Sequence, residues 1–109
     1  MSRIDLSVTV DVSSQRLPPA IEASAYFVIA EALTNVIKHS KAQEAVVRAG
    51  LDGPVLLVEV RDDGVGGANR EGAGLVGLDD RVAALGGALR VESPRGGGTL
   101  IAATLPVPV

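Results

Sequence analysis

The strongest constraint on the fold is a change of hydrophobic period along this 109-residue chain, from two to helical spacing and back. From Ile4 to Val12 apolar and polar residues alternate, which predicts a half-buried strand. Pro18-Pro19 then opens a helical spacing that continues to about residue 40, and a shorter helix is expected over 78–85. Four further strands are expected over residues 44–51, 55–61, 88–92 and 99–105. This order predicts an α+β fold, in which a mostly antiparallel mixed sheet is covered on one face by helices.

Composition and charge exclude several classes of protein. Hydrophobic residues make up 47% of the chain and charged residues 21%, which predicts one compact domain over residues 1–109 rather than disorder. A formal charge of −3 argues against a nucleic-acid partner, which normally meets a strongly basic surface. The absence of cysteine excludes disulfides, thiolate metal sites and cysteine nucleophiles. Tyr26 and Phe27 are the only aromatic residues, so we expect a core of valine, leucine, isoleucine and alanine.

Neither a signal peptide nor an apolar run approaching the roughly 20 residues that span a bilayer is apparent in the sequence. We therefore expect no membrane contact by this segment. A monomer is expected as well, because no sustained heptad or surplus apolar stripe remains for an interface. The chain opens directly into its first predicted strand at Arg3-Ile4-Asp5, so it has the appearance of a domain excised from a longer protein.

One face of the long predicted helix carries residues suited to phosphate chemistry. At about 100° per residue, Asn35, Lys38 and His39 project on the side of Glu31, opposite the apolar face of the helix. An asparagine oxygen can coordinate Mg²⁺, a lysine can meet a phosphate, and a glutamate can orient or deprotonate a nucleophile. The alternative is a solvated face whose charges merely stabilise the helix.

The segment after the third predicted strand, Asp62-Asp63-Gly64-Val65-Gly66-Gly67, has the features of a ring-binding loop. A carboxylate at the end of an apolar strand can accept a hydrogen bond from an exocyclic amine. Glycines allow the backbone to approach a flat ring without a Cβ collision. A plain turn remains the alternative, because a single D-x-G-x-G pattern is weak by itself.

Two further glycine segments stand near predicted elements. Gly72, Gly74 and Gly77 precede the second helix, where backbone N–H groups and the helix dipole suit phosphate oxygens. No G-x-x-x-x-G-K-[ST] phosphate loop occurs, and no βαβ unit surrounds these glycines, which disfavours a dinucleotide fold. The last segment, Gly96-Gly97-Gly98-Thr99, is by itself typical of a flexible hairpin turn.

Together these motifs resemble the ATPase domain shared by gyrases, heat-shock chaperones, mismatch-repair proteins and sensor histidine kinases, which has the Bergerat fold. The resemblance covers residues 3–106 and lies in EALTNVIKHS, DDGVGG, GAGLVGLDDRVAALGG and GGGTL. Only residues 68–71 separate the two glycine boxes, as in the nitrate-sensor/desaturase-regulator class of histidine kinases. Asp79-Asp80 departs from that class, which more often has a basic residue followed by glutamate.

The resemblance implies roles for residues on the helix and at the adenine end. Asn35 would hold Mg²⁺, and Glu31 would be the general base or orient the nucleophile. Lys38 and His39 would face the phosphates. Asp62 would bind the adenine amine.

It also implies roles for the glycine segments. Gly64 and Gly66 would shape the adenine pocket, and Thr99 would support it, with water as a bridge. Gly72 and Gly74 would anchor a lid over the phosphates. Leu75 and Gly77 would belong to the same nucleotide-binding set.

As a function, the resemblance implies the catalytic domain of a cytoplasmic histidine kinase, whose parent can be membrane-anchored. It would bind Mg-ATP and donate the γ-phosphate to a histidine on upstream dimerisation helices, with a response regulator as the downstream partner. His39 would not be that phosphoacceptor, so this chain would bind ATP or ADP without phosphorylating itself. Two alternatives are an anti-sigma-factor-type serine kinase and a non-catalytic ATP/ADP-binding signalling module.

Overall fold

The computed structural model describes residues 7–12, 17–68 and 73–107. Its helices and strands follow the predicted order. They are β1 (Ser7–Val12), α1 (Pro19–Asn35) ending in a π-helical turn (Val36–Ser40), β2 (Glu44–Asp52), β3 (Val55–Asp62), α2 (Ala73–Ala84), β4 (Ala88–Glu92) and β5 (Thr99–Pro106).

The described strands form one five-stranded sheet in the order β1-β2-β3-β5-β4. β1 pairs with β2 in parallel, and the other three pairs are antiparallel. The predicted mostly antiparallel mixed sheet is therefore confirmed. β2 and β3 form a tight hairpin, as the Asp52-Gly53 dipeptide between the two predicted strands favours: Asp52 pairs with Val55 across a turn in which Gly53 has a φ of 61°.

The core lies between one face of the sheet and the two helices. Its fully buried side chains are aliphatic, as expected, and each contributes about 1.5–3 kcal/mol by leaving water. The largest of them are Val28, Val47, Val58, Val60, Leu78, Val82 and Leu105. Phe27 is only partly buried, and the guanidinium carbon of Arg81 lies 4.4 Å from the centroid of the Phe27 ring. Tyr26 is exposed.

The second helix begins at Ala73, so the prediction that it starts at Leu78 was wrong. Gly74 and Gly77 each cost a helix about 1 kcal/mol relative to alanine, which made this segment look irregular in the sequence. Leu75, Leu78 and Val82 are nevertheless buried at helical spacing. Their burial against the core outweighs the low helix propensity of the glycines.

Regular helical spacing of about 100° per residue would place Ile37 on the apolar face of the first helix, but its side chain is 50% exposed. The reason is the π-helical turn that begins at Val36. A π turn closes its hydrogen bonds from i to i+5, so residues after Val36 rotate away from the positions that regular α-helical spacing assigns. The turn ends at Ser40 and is followed by the capping residue Lys41, whose φ of 55° is left-handed.

One described helical segment, Pro19–Lys38, is long and apolar enough to cross a membrane by length and composition. This differs from the expectation that no run approaches that length. Its charged residues are few and widely spaced, at Glu22, Glu31 and Lys38. Since Ile21, Val28 and other residues of this helix pack in the core, the observation is weak evidence for a membrane span.

Candidate functional site

Asp62 ends β3 on the helix-facing side of the sheet, where it pairs with Thr99 of β5. It is 7% exposed, which is unusual for a carboxylate. Burial raises the pKa of Asp62, and hydrogen bonds from the backbone N–H groups of Gly64 and Thr99 oppose that rise. The Gly64 N–H donates to Oδ1 at 2.8 Å. The result is a fixed, largely desolvated acceptor at one end of the sheet.

The neighbouring carboxylate of Asp63 joins this loop to the beginning of β2. Its Oδ1 accepts the backbone N–H groups of Gln43 and Glu44 at 2.9 and 3.0 Å, and these bonds lower the pKa of Asp63. The Asp63 N–H in turn donates to the Glu44 carbonyl at 3.2 Å. Because β2 follows the π turn closely, Asp63 fixes the exit of the first helix relative to Asp62. Sequence reasoning assigned Asp63 no role.

Three backbone hydrogen bonds hold the loop after β3 against the turn between β4 and β5. Gly67 N–H donates to Ser93 at 2.8 Å, Gly96 N–H to Val65 at 2.6 Å, and Gly98 N–H to Gly64 at 3.1 Å. The predicted ring-binding loop and the predicted hairpin turn are distant in the sequence, with a whole helix and a strand between them. In the fold the two segments lie side by side and are joined by these backbone hydrogen bonds.

Glycine is required where these two segments touch. A Cβ on Gly66 would lie 1.9 Å from the Pro94 carbonyl oxygen, and a Cβ on Gly98 would lie 2.2 Å from that of Asp62. Both residues also have a positive φ, of 68° and 75°. Gly66 and Gly98 therefore allow the backbone of the loop after β3 to lie directly against the backbone of the turn before β5.

Ser93 is a second residue that sequence reasoning missed. Its hydroxyl lies 2.6 Å from the Thr99 hydroxyl and accepts the Ala68 N–H at 2.8 Å. The only signal in the sequence was a serine just before the Pro94 turn, which is common in loops.

On the first helix, Glu31 and Asn35 are half-buried residues of α1. Lys38 is exposed in the π turn, where regular spacing no longer holds, and the His39 side chain lies outside the described part of the structure. The predicted single helical face therefore ends at Asn35. Because no described contact joins these residues to Asp62, their nucleotide roles remain predictions.

The second glycine box differs from the expectation of a loop. Gly72 lies outside the described residues, whereas Gly74, Leu75 and Gly77 all lie within α2. The Leu75 side chain is a core residue, so only its backbone is available to a ligand. The first-turn N–H groups of a 12-residue helix lack intrahelical partners, and they suit an anion.

Comparison with known proteins identifies the family. A family model described as "Histidine kinase-, DNA gyrase B-, and HSP90-like ATPase" matches residues 20–109. The chain belongs to this ATPase family. An uncharacterized sensor-like histidine kinase of Chloroflexus aurantiacus is 35% identical over 107 residues, which cover 89% of this chain and 18% of that protein. Sensor histidine kinase YxjM of Bacillus subtilis is 33% identical over 100 residues, which cover 91% of this chain and 25% of that protein.

The ATPase-family fold is matched by solved structures as well. The histidine kinase domain of the Erythrobacter litoralis EL346 blue-light activated histidine kinase has 25% identity and a TM-score of 0.84, and the match covers 96% of this chain and 53% of that one. The predicted Bergerat fold is therefore confirmed. This chain spans only about a quarter or less of the length of the two curated relatives.

Proposed function

We propose that this ATPase-family domain is the catalytic domain of a sensor histidine kinase, which binds Mg-ATP and donates the γ-phosphate to a histidine on dimerisation helices of its parent. The observation that carries the proposal is the buried Asp62 carboxylate, fixed between the Gly64 and Thr99 backbone N–H groups. The names of the curated relatives support the kinase part and do not favour the serine-kinase alternative.

At the base end, Asp62 would accept a hydrogen bond from the exocyclic amine of adenine. A desolvated acceptor discriminates strongly between ligands, because a ligand without a donor would cover the carboxylate without replacing the hydrogen bond that water makes to it. Gly64 and Gly66 would let the loop backbone lie against the ring. Thr99, which pairs with Asp62 across the strands, would complete this end of the pocket.

At the phosphate end, the first turn of α2 would supply N–H groups from Gly74 and Leu75, and Gly72 and Gly77 would flank them. Lys38 and His39 would add positive charge or hydrogen bonds from the other helix. These are proposed roles, and they require only positioning and charge neutralisation, which dominate phosphoryl transfer.

The donor set fits Mg²⁺ held mainly by the nucleotide. Among the described residues no group of three or more histidine, cysteine or acidic side chains could hold a metal by itself. Mg²⁺ commonly takes one or two protein ligands together with substrate phosphates, and Asn35 would provide one amide oxygen. When bound, the ion would neutralise charge on the phosphates. Glu31, one helical turn before Asn35, would orient the attacking imidazole or accept its proton.

The proposal extends to the cell. The parent would work on the cytoplasmic side, where ATP is available, and would pass its phosphate to a response regulator.

The deciding experiment uses the full-length parent. Asn35→Ala and Asn35→Asp are expected to abolish autophosphorylation, whereas the control Glu22→Gln, in the first turn of the same helix, should retain it. The label on the wild type should be acid-labile, as phosphohistidine is. An acid-stable label would favour the serine kinase, no label under saturating Mg-ATP would favour the non-catalytic module, and near-normal activity in Asn35→Ala would overturn the metal assignment.

A further inference from the structure

Ser93 connects the two sides of the proposed base pocket. Its carbonyl accepts the Gly67 N–H at 2.8 Å and its hydroxyl accepts the Ala68 N–H at 2.8 Å, both from the loop after β3. The same hydroxyl lies 2.6 Å from the hydroxyl of Thr99, the strand partner of Asp62. One small side chain therefore touches the loop on one side and Thr99 on the other.

The hydrogen atoms available restrict what Thr99 can do. A hydroxyl has one proton and two acceptor lone pairs, and the Ala68 N–H occupies one lone pair of Ser93. The contact between the two hydroxyls uses one further proton, from either residue. In both arrangements the contact holds the Thr99 hydroxyl oxygen in one place. When Thr99 donates, its proton points at Ser93, and when Ser93 donates, the Thr99 proton is available to another acceptor.

The stiffness of threonine makes this restraint effective. A β-branched side chain has a restricted χ1, so a single short hydrogen bond is enough to select its rotamer. Thr99 is half-buried beside the buried Asp62 and also donates its backbone N–H toward that carboxylate. The position of its hydroxyl oxygen is thus set in the part of the site where the base edge would lie.

We propose that Ser93 is a positioning residue that sets the Thr99 hydroxyl for recognition of the edge of a 6-aminopurine, and thereby contributes to the preference for adenine over guanine nucleotides. This inference rests on the proposed nucleotide site. It adds a residue that touches the base only through Thr99. Three backbone hydrogen bonds already join the loop after β3 to the turn between β4 and β5, so the Ser93 hydroxyl is not the only contact that holds the loop in place. Its removal should therefore affect selectivity more than the position of the loop.

The test measures dissociation constants of the 109-residue chain for ATP and GTP by calorimetry, in the presence of Mg²⁺. Ser93→Ala is expected to weaken ATP binding by a factor of about five to ten, the value of one hydrogen bond, and GTP binding less, so that the ATP/GTP ratio falls. Ser93→Thr retains the hydroxyl and should restore the ratio. Thr104→Ala is the matched control, because it removes an exposed hydroxyl of the same strand that bonds to Ala88 at 3.4 Å.

A double-mutant cycle separates positioning from a purely structural role. If Ser93 acts through Thr99, then Ser93→Ala should have no further effect on the ATP/GTP ratio in a Thr99→Val background. Equal losses for both nucleotides, or an undiminished effect in the Thr99→Val background, would overturn the proposal. If the wild-type chain binds ATP and Ser93→Ala has the same dissociation constants, only the role of Ser93 is overturned. If the wild-type chain binds neither ATP nor GTP, both the role of Ser93 and the proposed function are overturned.

Discussion

The Asp63 carboxylate accepts the Glu44 N–H at 3.0 Å, while the Asp63 N–H donates to the Glu44 carbonyl at 3.2 Å. This reciprocal pair joins the end of β3 to the beginning of β2, next to the register pair of Ala45 and Asp62. The second aspartate of the loop is therefore a link between strands, and it connects the loop that follows the first aspartate to the segment between the first helix and β2.

The first prediction concerns this link. Asp63→Ala removes the acceptor for two N–H groups, so it should lower the melting temperature and also weaken ATP binding by moving Asp62 relative to α1. Asp80→Asn, which changes an exposed carboxylate of α2, is the control for loss of charge. Thermal unfolding and calorimetric titration measure the two effects. Unchanged stability in Asp63→Ala would contradict the structural role.

The second prediction is the pH dependence of the same link. The two N–H groups lower the pKa of Asp63, so the folded state binds its proton less readily than the unfolded state does. The stabilisation is then present above the usual aspartate pKa of 3.8 and is lost as the pH falls through the lower, folded value. The stability difference between wild type and Asp63→Asn should therefore shrink on acidification below pH 3.8, as followed by denaturant unfolding. A difference that grows in acid would reverse the assigned sign.

Asp62 gives the third prediction, in which stability and binding separate. Burial raises the pKa of Asp62, so its charge is held in the folded state at an energetic cost. Asp62→Asn keeps an oxygen to accept the Gly64 N–H but removes that charge. Its unfolding free energy should be equal to or above that of wild type, while ATP affinity falls at least about tenfold through loss of a charge-assisted hydrogen bond. Normal ATP affinity in this variant would remove Asp62 from the base pocket.

The fourth prediction uses two glycines with opposite surroundings. Gly66→Ala would force a Cβ against the Pro94 carbonyl at a positive φ, and it should destabilise the domain by about 2 kcal/mol or more. Gly77 lies within α2, and a Cβ added there would meet only open space. Gly77→Ala should therefore stabilise the domain by about 0.5–1 kcal/mol. Urea unfolding of both variants measures this, and a destabilised Gly77→Ala would argue for a loop in place of the helix.

The sequence was sufficient for features that depend on neighbouring residues. Alternation located the strands, Asp52-Gly53 located a hairpin, and Pro19 marked the start of the first helix. The family followed from the order of four motifs. These signals are local, since each is expressed within one turn, one strand or one helix.

The parts that could not be predicted depend on contacts between distant positions. Asp63 binds Gln43 across 20 positions, and Ser93 binds Ala68 across 25. Nothing in the residues around Asp63 or Ser93 indicates these partners. The π turn that exposes Ile37 is likewise a departure from regular spacing, and periodicity analysis assumes that spacing throughout.

The parallel pairing of β1 with β2 has a consequence for how the domain folds. Parallel neighbours cannot be joined by a tight turn, so α1 is the crossover connection between them, and Asn35 lies on that crossover. The pairing of β1 with β2 joins residues that are far apart in the sequence, so it is expected to form more slowly than the adjacent hairpin of β2 and β3. A nucleotide held by both Asn35 and Asp62 would then bind only the completed domain. Added ATP should accordingly raise the melting temperature of the whole cooperative unit and slow its unfolding.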